Sequence, residues 1–334
     1  MFSKKIAIDL GTANSLVYLE GQGVILNEPT VVAVTSEDRQ VLAVGNAAKE
    51  MLGRTPEGIE ASRPLRDGVI ADYIVTEAML SFFLDKVAGR TRFFKPEVMV
   101  CVPAGVTSVE RRAVLDATLS AGARTAYLID EPLAAAIGAK IPIGSPSGNM
   151  IVDIGGGSTE AAVISLGGVV VHKSARVAGN KIDEAITLYV RRKYNLIIGE
   201  RTAEEIKLAL ASATQESKDS SIEVRGRDSI TGLPKVVELK SSEITDAIRP
   251  VLNNILDAVK QVLEETPPEL ASDIIDKGII MSGGTSLLNN LNKFFTDSLG
   301  VPCHIADDPL LCVVYGTGTA LENIELYRRS IVKR

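Results

Sequence analysis

The chain contains no tryptophan, only two histidines and only three cysteines among its 334 residues. The cysteines are Cys101, Cys303 and Cys312, none of which follows the Cys-x-x-Cys spacing, and His172 and His304 lie far apart. These residues are too few and too scattered to predict a structural zinc or iron–sulfur site. We expect three reduced cysteines that pack as small apolar side chains.

Long apolar runs are also missing. No stretch reaches the ~18 consecutive apolar residues that read as a membrane-spanning helix. The opening Met1–Lys5 leads directly into Ile6 without the apolar segment of a signal peptide. We therefore expect a cytoplasmic protein that meets a membrane only at its surface. The net charge of −6 argues against nucleic acid as a partner and is explained by ordinary solubility.

Apolar side chains are plentiful, at 46% of the residues. With 334 residues the chain is long enough for two lobes, each with its own core. Residues 5–19 and 149–164 repeat one pattern, a β-rich run ending in Asp-aliphatic-Gly, a turn of small residues and a second β-rich run. This pattern is typical of a β-hairpin with a glycine-rich bend. Its repetition predicts two lobes of like topology.

The rest of the chain alternates predicted strands and helices, which indicates an α/β fold. Residues 98–102 and 278–281 read as strands. Thr107, with Glu110 three residues later, is the capping box of a helix that follows the first strand. A helix from about Leu287 to Leu299 is predicted after the second.

Two stretches interrupt the alternation, residues 33–65 and 181–241, and each is predicted to be a small subdomain inserted into its lobe. The core of the first lobe is then assigned to residues 1–32, 66–145 and 310–334. The core of the second lobe is assigned to residues 146–180 and 242–309.

The repeated hairpins predict a phosphate site, although the chain has no GxxxxGK[ST] sequence and is not a P-loop protein. Glycine at a bend lets backbone N–H groups face outward as an anion-binding nest. A single hairpin of this kind is usually only a hairpin, but two copies favour a clamp around phosphates. The predicted nests are Gly11, Thr12, Ala13 and Asn14 in the first bend and Gly155, Gly156, Gly157 and Ser158 in the second. Asp9 and Asp153 precede them and are predicted to hold Mg²⁺ mostly through its water shell.

These hairpins resemble the two phosphate motifs of the superfamily that contains actin, heat-shock chaperones and sugar kinases. Further segments resemble its connecting-helix and adenosine motifs, namely Val100–Ala104, Tyr127–Gly138, Gly278–Leu288 and Tyr315–Leu321. Within the superfamily, other segments resemble the bacterial MreB family of actin-like cytoskeletal proteins, namely Leu26–Ala33, Arg63–Tyr73, Ile198–Glu204 and Thr266–Ile274. The resemblance extends over essentially the whole chain.

The resemblance implies an actin-like fold of two duplicated, ribonuclease H-like lobes with ATP and Mg²⁺ in a cleft between them. It implies a Mg²⁺-dependent ATPase in which Glu131, Ser158 and Asp153 are catalytic. From the residues alone, Glu131 before Pro132 could equally begin and cap a helix. The adenosine-binding residues implied by the resemblance are Glu204, Glu205, Ile206, Lys207, Gly283, Gly284, Thr285, Ser286 and Leu287. Without it, Glu204 and Lys207 read as a solvated pair one helical turn apart.

The sequence departs from the family pattern at two positions. Ser158 stands where the family usually carries threonine, which keeps the hydroxyl but removes a methyl group. Thr285 stands where a third glycine is usual. The first departure bears on the rate of hydrolysis and the second on how closely the backbone approaches the base.

The resemblance also implies a filament protein that maintains rod cell shape by organising cell-wall synthesis, with slow ATP hydrolysis coupled to polymerisation. Its implied partners are further copies of itself in paired protofilaments, the inner face of the cell membrane and the cell-wall elongation machinery. Phe93 and Phe94, flanked by Arg90, Arg92 and Lys95, match the membrane-inserting loop. Two adjacent phenylalanines could equally belong to a core.

Four other functions share parts of this pattern. A sugar kinase needs an additional catalytic aspartate for the sugar hydroxyl, and the sequence offers no convincing candidate. A heat-shock chaperone needs a peptide-binding domain after the ATPase unit. A scaffold that binds ATP without hydrolysing it remains open because of Ser158. The plasmid-segregating actin relatives also form filaments, but the segments quoted above resemble the MreB family more closely.

Overall fold

A computed structural model describes residues 3–88 and 95–334 of the chain. Phe93 and Phe94, the predicted membrane loop, lie outside the described residues. None of the helices in the described ranges is both long enough and apolar enough to span a membrane.

The strands in chain order are β1 (Lys5–Leu10), β2 (Asn14–Leu19), β3 (Gly23–Pro29), β4 (Val32–Thr35), β5 (Val41–Val44), β6 (Ile59–Ser62), β7 (Leu65–Arg66), β8 (Val69–Ile70), β9 (Glu97–Val102), β10 (Thr125–Asp130), β11 (Asn149–Ile154), β12 (Thr159–Ser165), β13 (Gly168–Ala175), β14 (Leu196–Ile197), β15 (Ser221–Asp228), β16 (Pro234–Lys240), β17 (Ile279–Ser282), β18 (Cys303–Ile305) and β19 (Ile331–Lys333).

The helices in chain order are α1 (Asn46–Met51), α2 (Tyr73–Ala88), α3 (Ser108–Ser120), α4 (Glu131–Gly138), α5 (Gly179–Tyr194), α6 (Glu200–Leu210), α7 (Ser241–Glu265), α8 (Pro268–Lys277), α9 (Leu291–Leu299), α10 (Cys312–Glu322) and α11 (Ile324–Tyr327). Short 3₁₀ turns cover Gly284–Leu287 and Arg328–Ser330.

Two sheets of the same topology confirm the duplicated α/β fold. The first sheet has the order β3-β2-β1-β9-β10-β19, and the second has the order β13-β12-β11-β17-β18. Each begins with three antiparallel strands, and the hairpin strand β1 or β11 then pairs in parallel with a later strand. We call each sheet with its packed helices a lobe. The repeated hairpins therefore occupy equivalent places in the two lobes.

Successive side chains of the central strands point to opposite faces of the sheet and pack into two different apolar clusters. On β9, Val98 and Val100 pack into the core of the first lobe with α2 and α3, whereas Met99 and Cys101 point to the opposite face. That opposite face meets side chains from β11 and β12 of the second lobe, including Ile151 and Ala162, and from α4 and α10. A shared apolar cluster therefore joins the two sheets.

Helices α4 and α10 cross within this shared cluster at a distance that only glycine allows. A Cβ atom at Gly138 would overlap the carbonyl oxygen of Cys312, and a Cβ atom at Gly316 would overlap that of Ala134. The two glycines are 178 positions apart in the chain but lie at one crossing point, where they bring the two backbones into direct contact.

Smaller sheets lie where the inserted subdomains are predicted. Strands β5-β4-β6 form one sheet with α1 packed on it, and strands β14-β15-β16 form another. The residue boundaries assigned to the lobe cores and subdomains remain a prediction.

Other local predictions can be compared with the structure. Thr107 and Glu110 form the predicted capping box, with Glu110 N donating to Thr107 Oγ1 at 3.2 Å and Thr107 N donating to Glu110 Oε2 at 2.7 Å. The three cysteines are free and buried, as predicted. The helix predicted from Leu287 begins only at Leu291, because Asn290 has a left-handed backbone with φ of 59°. A separate 3₁₀ turn precedes it.

Candidate functional site

The two glycine-rich bends lie against each other at the junction of the lobes. A Cβ atom at Gly156 would lie 2.6 Å from Cβ of Ala13, and one at Gly157 would collide with the side chain of Thr12. Only glycine in the second bend permits this approach. The structure therefore brings together the two predicted phosphate nests, which are separated by more than 140 residues in sequence.

Hydrogen bonds fix the shape of both bends. Thr30 Oγ1 donates to the carbonyl oxygen of Gly11 at 2.6 Å, and the N–H of Gly155 donates to the carbonyl oxygen of Ser158 at 3.0 Å. The N–H of Gly68 donates to Thr12 Oγ1 at 3.0 Å. The Ser158 side chain is buried, and a Cβ atom at Gly68 would lie 3.0 Å from its Oγ. The turn at Gly68 thus packs over both bends.

Asp9 and Asp153 sit behind the bends, near the ends of β1 and β11. Asp153 Oδ1 accepts a 2.7 Å hydrogen bond from Ser282 Oγ, and Asp9 Oδ1 accepts one of 3.4 Å from the thiol of Cys101. Burial, together with the charge of Asp153, raises the pKa of Asp9 to about 7. Burial likewise raises the pKa of Asp153 to about 6.

Glu131 is the first residue of α4 and is only 8% exposed. It adds a buried carboxyl group to that of Asp153, which is also buried, and to that of Asp9, which is half-buried. Burial holds its pKa well above the usual range, and the charges of Glu160 and Asp9 raise it further. The preceding Asp130 occupies the N-cap position without a side-chain cap, and pairs instead with Arg111 Nη2 at 2.7 Å. The acidic pair therefore begins a helix, as the alternative expects, but Asp130 makes no side-chain capping hydrogen bond.

These buried carboxyl groups fit a divalent cation. In the described ranges, no lysine or arginine forms an ion pair with Asp9, Glu131 or Asp153, so no side chain there offsets the negative charge that these groups carry when ionised. Groups of three side chains at direct metal-ligand spacing do not occur in the same ranges. Asp9 and Asp153, whose charges interact, are a donor set that fits Mg²⁺ held through its water shell.

Glu160 is a site residue that the sequence analysis missed. It pairs in register with Asp153 and is 1% exposed. Its Oε2 accepts a 3.1 Å hydrogen bond from the N–H of Ala104 in the first lobe, and its Oε1 accepts one from Ser174 Oγ in the second. Burial raises its pKa to about 7. A charged residue in the otherwise apolar run of β12 was the available signal, since buried charges are rarely placed without function.

The predicted adenosine motif lies beside the second bend. Thr285 Oγ1 donates to the carbonyl oxygen of Gly155 at 2.7 Å. Gly283 has φ of 82°, and a Cβ atom there would collide with the carbonyl group of Ile154. Ser286 is buried, with its Oγ donating to the carbonyl oxygen of Gly283 at 2.6 Å, whereas Leu287 is 51% exposed.

The N-terminus of α5, which the sequence analysis did not identify, also faces the second bend. The N–H groups of Gly179 and Asn180 donate to the carbonyl oxygens of Gly155 at 3.2 Å and Gly156 at 2.8 Å. The positive end of this helix dipole therefore points at the predicted phosphate nest.

The four residues of helix α6 that are predicted to bind adenosine differ in their contacts. Glu204 Oε2 lies 2.9 Å from Lys49 Nζ, and Lys207 Nζ lies 2.9 Å from Asp183 Oδ2 on α5, so these two residues do not form the mutual pair considered above. Glu205 forms an exposed pair with Arg201. The side chain of Ile206 is buried in the core of the second lobe and faces away from solvent.

The sequence of the chain is similar to those of known proteins. The sequence profile of the family described as MreB/Mbl protein matches residues 3–329. Cell shape-determining protein Mbl of Bacillus subtilis strain 168 is 49% identical over 325 residues, covering 97% of this chain and 98% of that protein. Cell shape-determining protein MreB of Escherichia coli strain K12 is 50% identical over 333 residues, covering 98% of this chain and 96% of that protein.

A solved structure shows the same fold. MreB 5 of Spiroplasma citri bound to AMPPNP superposes with a TM-score of 0.92 and 38% identity, covering 98% of this chain and 99% of that one. The expected actin-like fold is therefore confirmed. With a profile match along nearly the whole chain and cell-shape relatives at about half identity over almost all of both proteins, the chain belongs to the MreB/Mbl family.

Proposed function

We propose that the chain binds Mg²⁺-ATP between its two glycine-rich bends and hydrolyses it to ADP and phosphate. The observation that carries this proposal is the convergence of two phosphate nests on one point. It is supported by the neighbouring carboxyl groups of Asp9 and Asp153, which form no ion pair with a lysine or arginine within residues 3–88 and 95–334. The AMPPNP bound to the similar Spiroplasma citri protein supports the same ligand class.

The residues have separate roles in this proposal. Backbone N–H groups in the bends Gly11–Asn14 and Gly156–Ser158 bind the phosphates. The first N–H groups of α5 donate to Gly155 and Gly156, so this helix contributes through the positive end of its dipole. Asp9 and Asp153 hold Mg²⁺ through its water ligands. When bound, this ion neutralises charge on the phosphates. Thr285 and the α6 side chains of Glu204 and Lys207 lie on the nucleoside side.

Glu131 is the group proposed to orient the attacking water and accept its proton. Water oxygen forms a bond to the γ-phosphorus while the bond to the β–γ bridging oxygen breaks, and ADP and phosphate leave. Burial raises the pKa of Glu131, so its carboxyl group needs nearby positive charge to be ionised at neutral pH. Mg²⁺ held by Asp9 and Asp153 would supply that positive charge. The Ser158 hydroxyl lies at the second bend to contact the water or the γ-phosphate.

We propose further that ATP binding drives assembly of the chain into filaments with a role in rod cell shape. The similar Bacillus subtilis and Escherichia coli proteins are named cell shape-determining proteins, which supports the role in cell shape. Phe93 and Phe94 are proposed to attach these filaments to the inner face of the cell membrane. Burying two aromatic rings per subunit in lipid is weak alone but adds up along a filament. Paired protofilaments and the cell-wall elongation machinery remain proposed partners.

The direct test combines three measurements on the purified chain. Mg²⁺-ATP should raise the thermal unfolding midpoint, because a ligand of the native state stabilises it. Phosphate release should depend on Mg²⁺, and high-speed pelleting should depend on ATP. Unchanged thermal stability at millimolar Mg²⁺-ATP would show that the bends do not bind nucleotide. Turnover that rises with added glucose or glycerol would favour a sugar kinase instead.

A further inference from the structure

One ion pair joins the two lobes on the nucleoside side of the junction. Lys49 lies on α1 and its Nζ is 2.9 Å from Oε2 of Glu204 on α6. The neighbours of these residues belong to separate cores, since Ala48 packs with the β4 sheet and Ala203 packs in the core of the second lobe. The pair therefore bridges elements that share no core.

Arg63 is a second basic residue of the first lobe that contacts α6, close to the Lys49–Glu204 pair. Arg63 Nη1 donates to the carbonyl oxygen of Ala13 in the first bend at 3.4 Å, and its Nε lies 3.8 Å from Oε2 of Glu200 on α6. Two cations from the first lobe thus meet two carboxylates on one helix of the second. The side chains of Lys49 and Glu204 are 32% and 35% exposed, so the pair is accessible to solvent.

The bridge adjoins the residues proposed to hold the nucleotide. Glu204 lies one helical turn before Lys207, whose Nζ contacts Asp183 and the carbonyl oxygen of Gly179. Gly179 in turn donates to Gly155 in the second bend. The Lys49–Glu204 pair holds α1 against α6 next to these residues.

We propose that Lys49 is a nucleotide-retaining residue, which crosses the lobe junction to Glu204 and slows the release of bound nucleotide. The inference rests on the proposed function and adds a group from the opposite lobe to that site. Lys49 holds the Glu204 carboxylate and keeps α1 close to α6 while nucleotide is bound. Arg63 supports the same closed arrangement through Glu200.

The experiment follows dissociation of N-methylanthraniloyl-ATP in the presence of Mg²⁺ by stopped-flow fluorescence, with excess ATP as the chase. Lys49→Ala should speed dissociation about two- to five-fold, the range set by a partly exposed ion pair. Lys49→Glu places like charges together and should speed it more. Lys49→Arg keeps the charge and should restore a rate near that of the parent. Raising the salt concentration should speed dissociation from the parent more than from Lys49→Ala.

Lys86→Ala is the matched control. Lys86 forms a similar pair with Glu28 at 3.0 Å, but both residues belong to the first lobe. This variant should release nucleotide at the parent rate. Parent-like dissociation from both Lys49→Ala and Lys49→Glu would overturn the proposal while leaving nucleotide binding intact. A parent chain that binds no nucleotide would overturn the proposed function and this inference with it.

Discussion

Asp9 and Asp153 occupy equivalent positions in two sheets of the same strand order, each one residue before the last residue of its hairpin strand. The charge of Asp153 raises the pKa of Asp9, so the two carboxyl groups are close enough to interact. This pairing across the lobe junction is the direct result of the internal repeat. It brings the buried carboxyl group of Asp153 and the half-buried one of Asp9 together where the metal is predicted.

Replacing Asp153 should remove the part of ATP binding that depends on Mg²⁺ and leave the part that does not. We expect Asp153→Asn to lose the thermal stabilisation that Mg²⁺ adds to ATP, because it removes a carboxylate that holds the ion's water shell. Differential scanning fluorimetry with ATP, with and without Mg²⁺, measures this difference. Ser282→Ala is the control, because it removes only the hydrogen bond to Asp153. Full Mg²⁺-dependent stabilisation in Asp153→Asn would contradict the metal assignment.

Glu131→Gln should retain nucleotide but lose hydrolysis. We expect turnover to fall by about 100-fold or more, since the variant lacks the group that accepts a proton from water. Phosphate release and equilibrium nucleotide binding, measured on the same sample, check the two halves of this prediction. Ser158→Thr should keep or raise turnover because it retains the hydroxyl. If Glu131→Gln hydrolyses ATP at the parent rate, the catalytic assignment is wrong.

The stability of the nucleotide-free protein should fall as the pH rises through the range from about 4 to 7. The folded pKa values of Asp9 and Asp153 are raised to about 7 and about 6, above the values of an unfolded chain. The folded state therefore binds more protons than the unfolded state in this range, and the free energy of unfolding decreases with pH, by at most ~1.4 kcal/mol per pH unit for each group.

Urea unfolding at pH 5.5 and pH 8 without divalent cations measures this slope. A double variant with Asp9→Asn and Asp153→Asn should show a flatter dependence than the parent. Adding Mg²⁺-ATP should also raise the stability of the parent more at pH 8 than at pH 5.5. An identical slope in the parent and the double variant would rule out these two groups as its source.

Replacing Phe93 and Phe94 together with Ser should weaken binding to anionic liposomes while leaving ATP binding unchanged. The reason is that the two rings proposed to insert into lipid would be lost from a segment flanked by cations. Liposome flotation and thermal unfolding are the two measurements. The core alternative predicts instead a sharp fall in the unfolding midpoint, because truncating buried rings costs several kcal/mol. Phe82→Ser, which changes a phenylalanine 38% exposed on α2, controls for general surface effects.

Gly316→Ala should destabilise the chain by about 1–3 kcal/mol, because its methyl group would overlap the backbone of α4. Chemical unfolding measures this loss. Gly144→Ala is the control, since a Cβ atom at Gly144 has no neighbour within 4 Å. Equal stability of Gly316→Ala and the parent would show that the crossing can widen freely.

The hairpins, their bends and the aspartates before them could be predicted from sequence because each signal is local. Glycine, hydroxyl residues and Asp stand within a few positions of one another, and the second copy made the pattern specific. The capping box of α3 was predictable for the same reason. The start of α9 was not, because a left-handed Asn290 interrupts a run that looks helical.

Contacts between distant segments could not be predicted from sequence. Glu160 interacts with Ala104, and Lys49 with Glu204, across separations of 56 and 155 residues. Periodicity within a segment carries no information about such partners. The same holds for Asp183, whose helix position alone does not reveal that it meets Lys207.

The apolar cluster shared by the two sheets has a consequence for how the chain melts. Side chains such as Met99 and Ile129 from the first sheet pack with Ile151 and Ile164 from the second, so opening either sheet exposes apolar surface of both. Two lobes with separate cores would otherwise unfold in two steps. Here their unfolding is coupled through a common interface, and calorimetry should record one cooperative endotherm that nucleotide shifts as a whole.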